Sequence, residues 1–223
     1  MRKWECLYQN LDINNMIKTE IIPVIHMVNE KQVFDNVETC KQCGIEKVFL
    51  INHVVSVRDL LDCAHRVKSK YPDMWVGVNM LGTPTHIALS NTLEGIDGLW
   101  CDATIGAIEA KKVRQFKGMF FGGLAFKYQP QPTDLEMACK EASFATDVAC
   151  TSGTGTGKAP TTVKIKAIRE FIGEHPIAIA SGVSVENIDS FKGLANYILV
   201  ASSITDRSEM IIKEKLIELK SKI

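Results

Sequence analysis

The chain has 223 residues, 46% of them hydrophobic and 23% charged, with 26 Lys and Arg against 26 Asp and Glu. A formal charge of zero leaves no clustered positive field for nucleic acid or anionic lipid, and the balance is that of a globular rather than a disordered chain. The longest apolar stretches, 21–28 and 119–126, fall well short of the roughly twenty residues that span a bilayer, so no membrane insertion is expected.

Residues 1–20 carry Arg2 and Lys3, but Glu5, Gln9, Asn10 and Asp12 interrupt any apolar run that could act as a leader. A cytoplasmic protein is expected, with this segment capping the bottom of the fold or lying against its outside. From residue 21 onward, short β-type apolar runs alternate with stretches of helical periodicity, which is the α/β signature. The runs are 21–27, 47–53, 74–80, 98–103, 119–127, 147–151, 176–181 and 197–202. After the first, Cys40 and Cys43 form a CxxC with no second Cys or His pair, which reads as two thiols on a helix. The seven cysteines belong to no framework and suit a reducing compartment. After the second run, Val57, Leu60, Leu61, Ala64 and Val67 make a helical stripe that opens on Ser56 and Asp59 as a capping box. After the sixth, Val163, Ile165, Ile168, Phe171 and Ile172 make another, which starts just past Pro160 and stops at Gly173. A last helix is expected over 208–221, and shorter ones after the third, fifth and seventh runs.

Eight strand–helix units in about 220 residues predict a single-domain (β/α)₈ TIM barrel over 1–223, with the units in 21–223. The runner-up is an open doubly wound sheet. The polar residues that end the runs are His26, Asn52, Asn79, Asp102, Lys127, Ser152, Ser181 and Ser202, spaced 21 to 29 residues apart. A ring of polar groups at one rim fits a barrel, whereas an open sheet would gather them at one switch point.

Ser152-Gly-Thr-Gly-Thr-Gly-Lys158 places three glycines, Gly153, Gly155 and Gly157, ahead of a helix, so the backbone can aim N–H groups at an anion. It is not a P-loop, because Ser152 and Ala159 stand where that motif needs Gly and Ser or Thr. Ser181 and Gly182 after the seventh strand, and Ala201 and Ser202 after the eighth, lie where TIM barrels commonly bind phosphate on backbone amides. The predicted phosphate site is therefore Ser152, Gly155, Thr156, Gly157, Ser181, Gly182, Ala201 and Ser202. On the fifth run, Met119, Phe121, Gly123, Ala125 and Lys127 share one face, which would stand Lys127 over a roomy floor. Lys127 and Asp102 are the expected acid/base couple or, equally, a structural ion pair, with Asn79, Asn52 and His26 orienting the substrate. His26 and His53 lack an accompanying carboxylate cluster, so no metal site and no cofactor are expected, although a phosphorylated ligand could bring Mg²⁺.

Gly77-Val-Asn-Met-Leu81, Phe126-Lys-Tyr128, the segment 152–160 and Ser181-Gly-Val-Ser-Val-Glu-Asn187 resemble, in order and over nearly the whole chain, the strand-end motifs of the BtpA family. That family is similar to phosphate-binding (βα)₈ barrels. One member is named for a role in photosystem I biogenesis, and others accompany sugar-metabolism proteins. The resemblance implies roles for Asn79, Lys127, Thr156, Gly157 and Pro160. It fails where Val28–Lys31 replaces a proline-rich loop, Ile51 a glutamate, Tyr128 a histidine, and Gly123 an aspartate four residues before the lysine. The phosphate end persists while several candidate catalytic groups differ, which implies another substrate or a branch without catalysis. The expected function is an enzyme acting on a small phosphosugar or ribose phosphate, as isomerase, lyase or transferase. The alternative is a non-catalytic barrel that binds such a ligand or assists assembly. Homo-oligomerisation is compatible with the neutral surface.

Overall fold

A computed structural model of the protein describes residues 17–223. The part of the expected cap before residue 17 lies outside the described residues. Eight parallel strands close into a barrel in sequence order: β1 (Glu20–Met27), β2 (Lys47–Asn52), β3 (Trp75–Asn79), β4 (Gly98–Cys101), β5 (Met119–Gly123), β6 (Val148–Thr151), β7 (Ile177–Ala180) and β8 (Tyr197–Val200). Closure is made by β8 pairing with β1, from Glu20↔Tyr197 to Pro23↔Val200. The barrel is the architecture the spacing predicts, and the open sheet is excluded.

The helices are α1 (Glu30–Gln42), α2 (Val57–Lys70), α3 (Thr85–Ser90), α4 (Ala107–Val113), α5 (Leu135–Ala145), α6 (Thr162–Ile172) and α7 (Lys213–Lys220). Between β7 and β8 the chain makes a short 3₁₀ turn, Ile188–Phe191, instead of an α-helix. Helix α2 opens as its sequence predicts: the Ser56 hydroxyl accepts from the Asp59 amide at 3.1 Å and donates to its carboxylate at 2.7 Å. Helix α6 is capped by Thr161 and ends at Gly173 with φ 63°. Its buried stripe is Ile165, Ile168 and Ile172, whereas Val163 and Phe171, expected in that stripe, are exposed. The last helix starts later than expected. Residues 206–210 form a tight turn, and Ile211 bridges to Thr205 before α7 begins.

Alternation along the strands sorts two apolar layers. Ile21, Ile25, Val48, Leu50, Val76 and Val78 face outward against the helices. Ile22, Val24, Phe49, Ile51, Trp100 and Phe121 face inward. In the interior, the Phe49 ring packs edge-on against Trp75 at 5.2 Å, Phe121 at 5.1 Å and Trp100 at 5.8 Å. Such aromatic pairs add about 0.5–1.5 kcal/mol each beyond their buried area, and they plug the barrel. Everything polar that the strands deliver at their C-terminal ends must therefore sit above this plug.

Candidate active site

Above the plug lies a cavity of about 430 Å³, floored by Val24, Ile51, Trp100, Ala180 and Leu199. Its wall carries His26, His53, Asp102, Lys127, Thr156, Gly157 and the loops after β7 and β8. A larger hollow of about 680 Å³ opens at the opposite end of the barrel, but there Lys47 and Glu20 are engaged with each other at 2.7 Å. In this fold, chemistry belongs to the C-terminal ends of the strands, where the smaller cavity is.

The strand-end residues reach this cavity by different routes. Asp102 lies one residue beyond β4, and the buried Asn79 at the end of β3 donates from Nδ2 to its Oδ1 at 3.1 Å. Burial raises the Asp102 carboxyl pKa, opposed by the Asn79 hydrogen bond and by the charges of Lys127 and His53. Asn79 thus holds Asp102 instead of lining the wall. Asn52 is also away from the wall: its Oδ1 accepts from the Leu81 amide at 2.8 Å and its Nδ2 donates to the Val55 carbonyl at 3.4 Å, bracing two loops.

Lys127 does reach the cavity, but not on a strand. β5 ends at Gly123, where a Cβ would lie 1.8 Å from the Asp102 carbonyl oxygen; Ala125 then turns at φ 47° and breaks the alternation. That contact also explains why the aspartate of the resembling motif has no place at this position. The Lys127 amide donates to Ser152 Oγ at 2.8 Å, and its ammonium donates to Ser181 Oγ at 2.5 Å. Lys127 and Asp102 share the wall, and among the described residues no ion pair joins them.

The glycine-rich loop serves as a packing device. Ser152 is fully buried and donates to the Gly153 carbonyl at 3.1 Å. A Cβ on Gly182, which has φ 73°, would lie 2.0 Å from the Ala159 amide nitrogen, so the loops after β6 and β7 touch backbone to backbone. Gly155 stands off the wall, while Thr156 and Gly157 are on it. The Thr156 amide is occupied by Tyr128 Oη at 3.1 Å. On the next two loops, after β7 and β8, the amides of Gly182, Val183, Ser202 and Ser203 donate to nothing among the described residues. The first pair is held by Asn187, which accepts from the Ser184 amide at 3.0 Å and donates to the Gly182 carbonyl at 2.8 Å.

Several residues here escape the sequence pattern. Lys164, on α6, donates to the Ala125 carbonyl at 2.6 Å and the Ser152 carbonyl at 2.7 Å, tying together the loops after β5 and β6. Its position beside Ile165 in a helix gives no sign of this. Tyr128 reads in sequence only as a departure from a motif, and Glu209, whose Oε2 lies 3.2 Å from His26 Nδ1, follows no strand-end spacing. Burial, with the neighbouring His26 charge, lowers the pKa of His53. Among the described residues no group of three His, Cys, Asp or Glu side chains is arranged to hold a metal ion.

No protein-family model matches the chain, and no curated protein matches it. Solved structures do match. Phosphoribosyl anthranilate isomerase from Thermus thermophilus superposes with a TM-score of 0.66 at 14% identity, over 91% of this chain and 98% of that one. The likeness establishes the fold. Thiamine phosphate pyrophosphorylase from Pyrococcus furiosus gives 0.63 at 12% identity, covering 95% and 97%. KDPG aldolase from Legionella pneumophila gives 0.62 at 13% identity, covering 94% of each chain.

Proposed function

We propose that this barrel is an enzyme acting on a small phosphorylated metabolite, a phosphosugar or ribose phosphate, with the phosphate bound by the loops after β7 and β8. The observation that carries the reading is the set of undonated amides at Gly182, Val183, Ser202 and Ser203 beside the cavity. Hydrogen bonds to a charged group contribute about 1.5–3 kcal/mol each, so four amides suffice to hold a phosphate without arginine. The Lys127 ammonium adds the charge, and its present partner, the Ser181 hydroxyl, is itself on the wall. The structural neighbours, named as an isomerase, a pyrophosphorylase and an aldolase of phosphorylated compounds, support this substrate class by analogy.

The sugar end would then face Asp102, His53 and His26. Burial raises the carboxyl pKa of Asp102 and lowers the imidazole pKa of His53, and a carboxyl and an imidazole on one wall are the equipment of acid/base isomerisation or carbon–carbon cleavage. The finer form of the proposal is a BtpA-type activity, which rests only on the resemblance of the segments around Asn79, Lys127, Thr156 and Gly157 to that family's motifs. A non-catalytic phosphometabolite-binding barrel is the second reading. It is favoured by the structural engagement of Asn52 and Asn79, which leaves fewer groups free for chemistry.

The test is thermal denaturation with inorganic phosphate, ribose 5-phosphate and triose to hexose phosphates. A ligand at about a hundred times its Kd adds about 2.7 kcal/mol, which for a chain of this size raises Tm by about 5–10 °C. A sugar phosphate that stabilises more than phosphate alone supports the reading; no shift with any phosphorylated compound overturns it.

A further inference from the structure

The loop after β8 carries a group that the phosphate site does not use. Asp206 Oδ1 accepts from the amides of Ser208 at 2.7 Å and Met210 at 3.1 Å, and the Asp206 amide donates to the Met210 carbonyl at 2.9 Å. Within this closed turn Glu209 has φ 59°, the left-handed region that a non-glycine residue enters only when its surroundings impose it. The imposition is visible. The Glu209 carbonyl oxygen accepts from two side-chain amides of α1, Gln32 Nε2 and Asn36 Nδ2, each at 2.8 Å. Gln32 Nε2 also donates to the His26 carbonyl at 3.1 Å, and Asn36 Oδ1 accepts from the Ile211 amide at 2.8 Å. Asn36 is fully buried and Gln32 nearly so. Two buried amides therefore fix the main chain of Glu209, and one of them fixes that of His26 as well. The carboxylate held in this way places Oε2 at 3.2 Å from His26 Nδ1, and the His26 ring faces the cavity with His53 edge-on at 4.6 Å.

We propose that Glu209 is a positioning residue that keeps the proton of neutral His26 on Nδ1, leaving Nε2 as the hydrogen-bond acceptor for a ligand hydroxyl in the cavity. A neutral imidazole has one donor and one acceptor nitrogen, and the bond made at one fixes the state of the other. A loop that only closed the barrel would need the Gln32 and Asn36 bonds but no carboxylate on His26. The use of Nε2 on a ligand rests on the phosphometabolite reading, whereas the tautomer does not.

The experiment is ¹⁵N NMR of the imidazole nitrogens in the full chain at alkaline pH, with His26→Gln used to assign the His26 signals among the five histidines. In the wild type, Nδ1 of His26 should resonate as a protonated, pyrrole-type nitrogen and Nε2 as a pyridine-type one. Glu209→Gly removes the carboxylate while keeping the turn, since glycine adopts a positive φ freely, and the ring should revert to the Nε2–H form preferred by free imidazole. A wild-type His26 protonated on Nε2, or a pattern unchanged in Glu209→Gly, overturns the proposal. With ribose 5-phosphate added, shifts of the Gly182 and Ser202 amides together with His26 Nε2 support both readings. Amide shifts without an Nε2 shift overturn the use of Nε2 as the ligand's acceptor and spare the phosphate site. A Glu209-dependent tautomer with no amide shift overturns the phosphate site alone.

Discussion

Asp102 is pulled two ways: burial favours its neutral form, while Asn79, Lys127 and His53 favour its charge, and burial wins. The folded protein therefore keeps this proton to higher pH than the unfolded chain, whose aspartates titrate near 3.9. Below about pH 3.9 both states are protonated and the contribution of Asp102 is complete; as pH rises through its folded pKa the fold must ionise the group, and stability is lost. Asp102→Asn should therefore melt above wild type at neutral pH and converge with it in acid, in thermal melts across pH, while turnover of a phosphosugar substrate falls. A variant that melts lower at neutral pH contradicts this account. Gly123 is constrained by shape instead of charge. With a Cβ placed 1.8 Å from the Asp102 carbonyl, Gly123→Ala should lose about 3 kcal/mol or more in urea, because β4 and β5 must separate.

At the scale of elements, α6 does two things. Its face of Ile165, Ile168 and Ile172 packs on the barrel, and Lys164 reaches from its first turn into the loops above β5 and β6. Burial lowers the pKa of this lysine, so its two carbonyl partners offset a real desolvation penalty. Lys164→Met leaves both carbonyls unpartnered. We expect a loss of about 2 kcal/mol by urea unfolding and weaker sugar-phosphate binding, because the loop bearing Lys127 is released. An unchanged midpoint would mean that the loops hold themselves. The turn after β8 shows the same logic from the other side of the barrel, with α1 supplying the clamp through Gln32 and Asn36.

For the molecule as a whole, the packing that closes the barrel also sets the chemistry of its thiols. The six described cysteines are free and buried. Desolvation raises Cys63 and Cys139 to about 11 and Cys101 to about 12, and it pushes Cys40 and Cys150 higher still. At pH 8 their thiolate fraction is minute, so iodoacetamide should label none of these five in the folded protein and all five once urea unfolds it, as read by mass spectrometry. Labelling of Cys40 at the folded rate of an exposed thiol would show that α1 opens locally. His175 works on global stability in the opposite sense to Asp102. Its pKa is lowered by burial, so the stability tied to its neutral form is present above about 6.5 and is lost as pH falls through its folded value.

Period and punctuation were enough to determine the barrel. Strand runs at near-constant spacing, the Ser56 and Thr161 helix starts and the stop at Gly173 are local signals, and local hydrogen bonding and alternation decide them. The polar group at each strand end was legible for the same reason, and His26, Asp102, Lys127, Ser181 and Ser202 do share one cavity wall. What each group does there depended on contacts between residues far apart in sequence. Asn52 and Asn79 look equivalent to Asp102 along the chain, yet one braces a loop and the other holds the carboxylate. The need for glycine at position 123 follows from the approach of the Asp102 carbonyl, which no periodicity in β5 records. Lys164 and Glu209 act across 39 and 173 residues of chain, on Ala125 and Asn36 respectively. Only closure of the barrel brings such pairs within hydrogen-bond distance, so tertiary structure alone decided which polar residues face a ligand and which face each other.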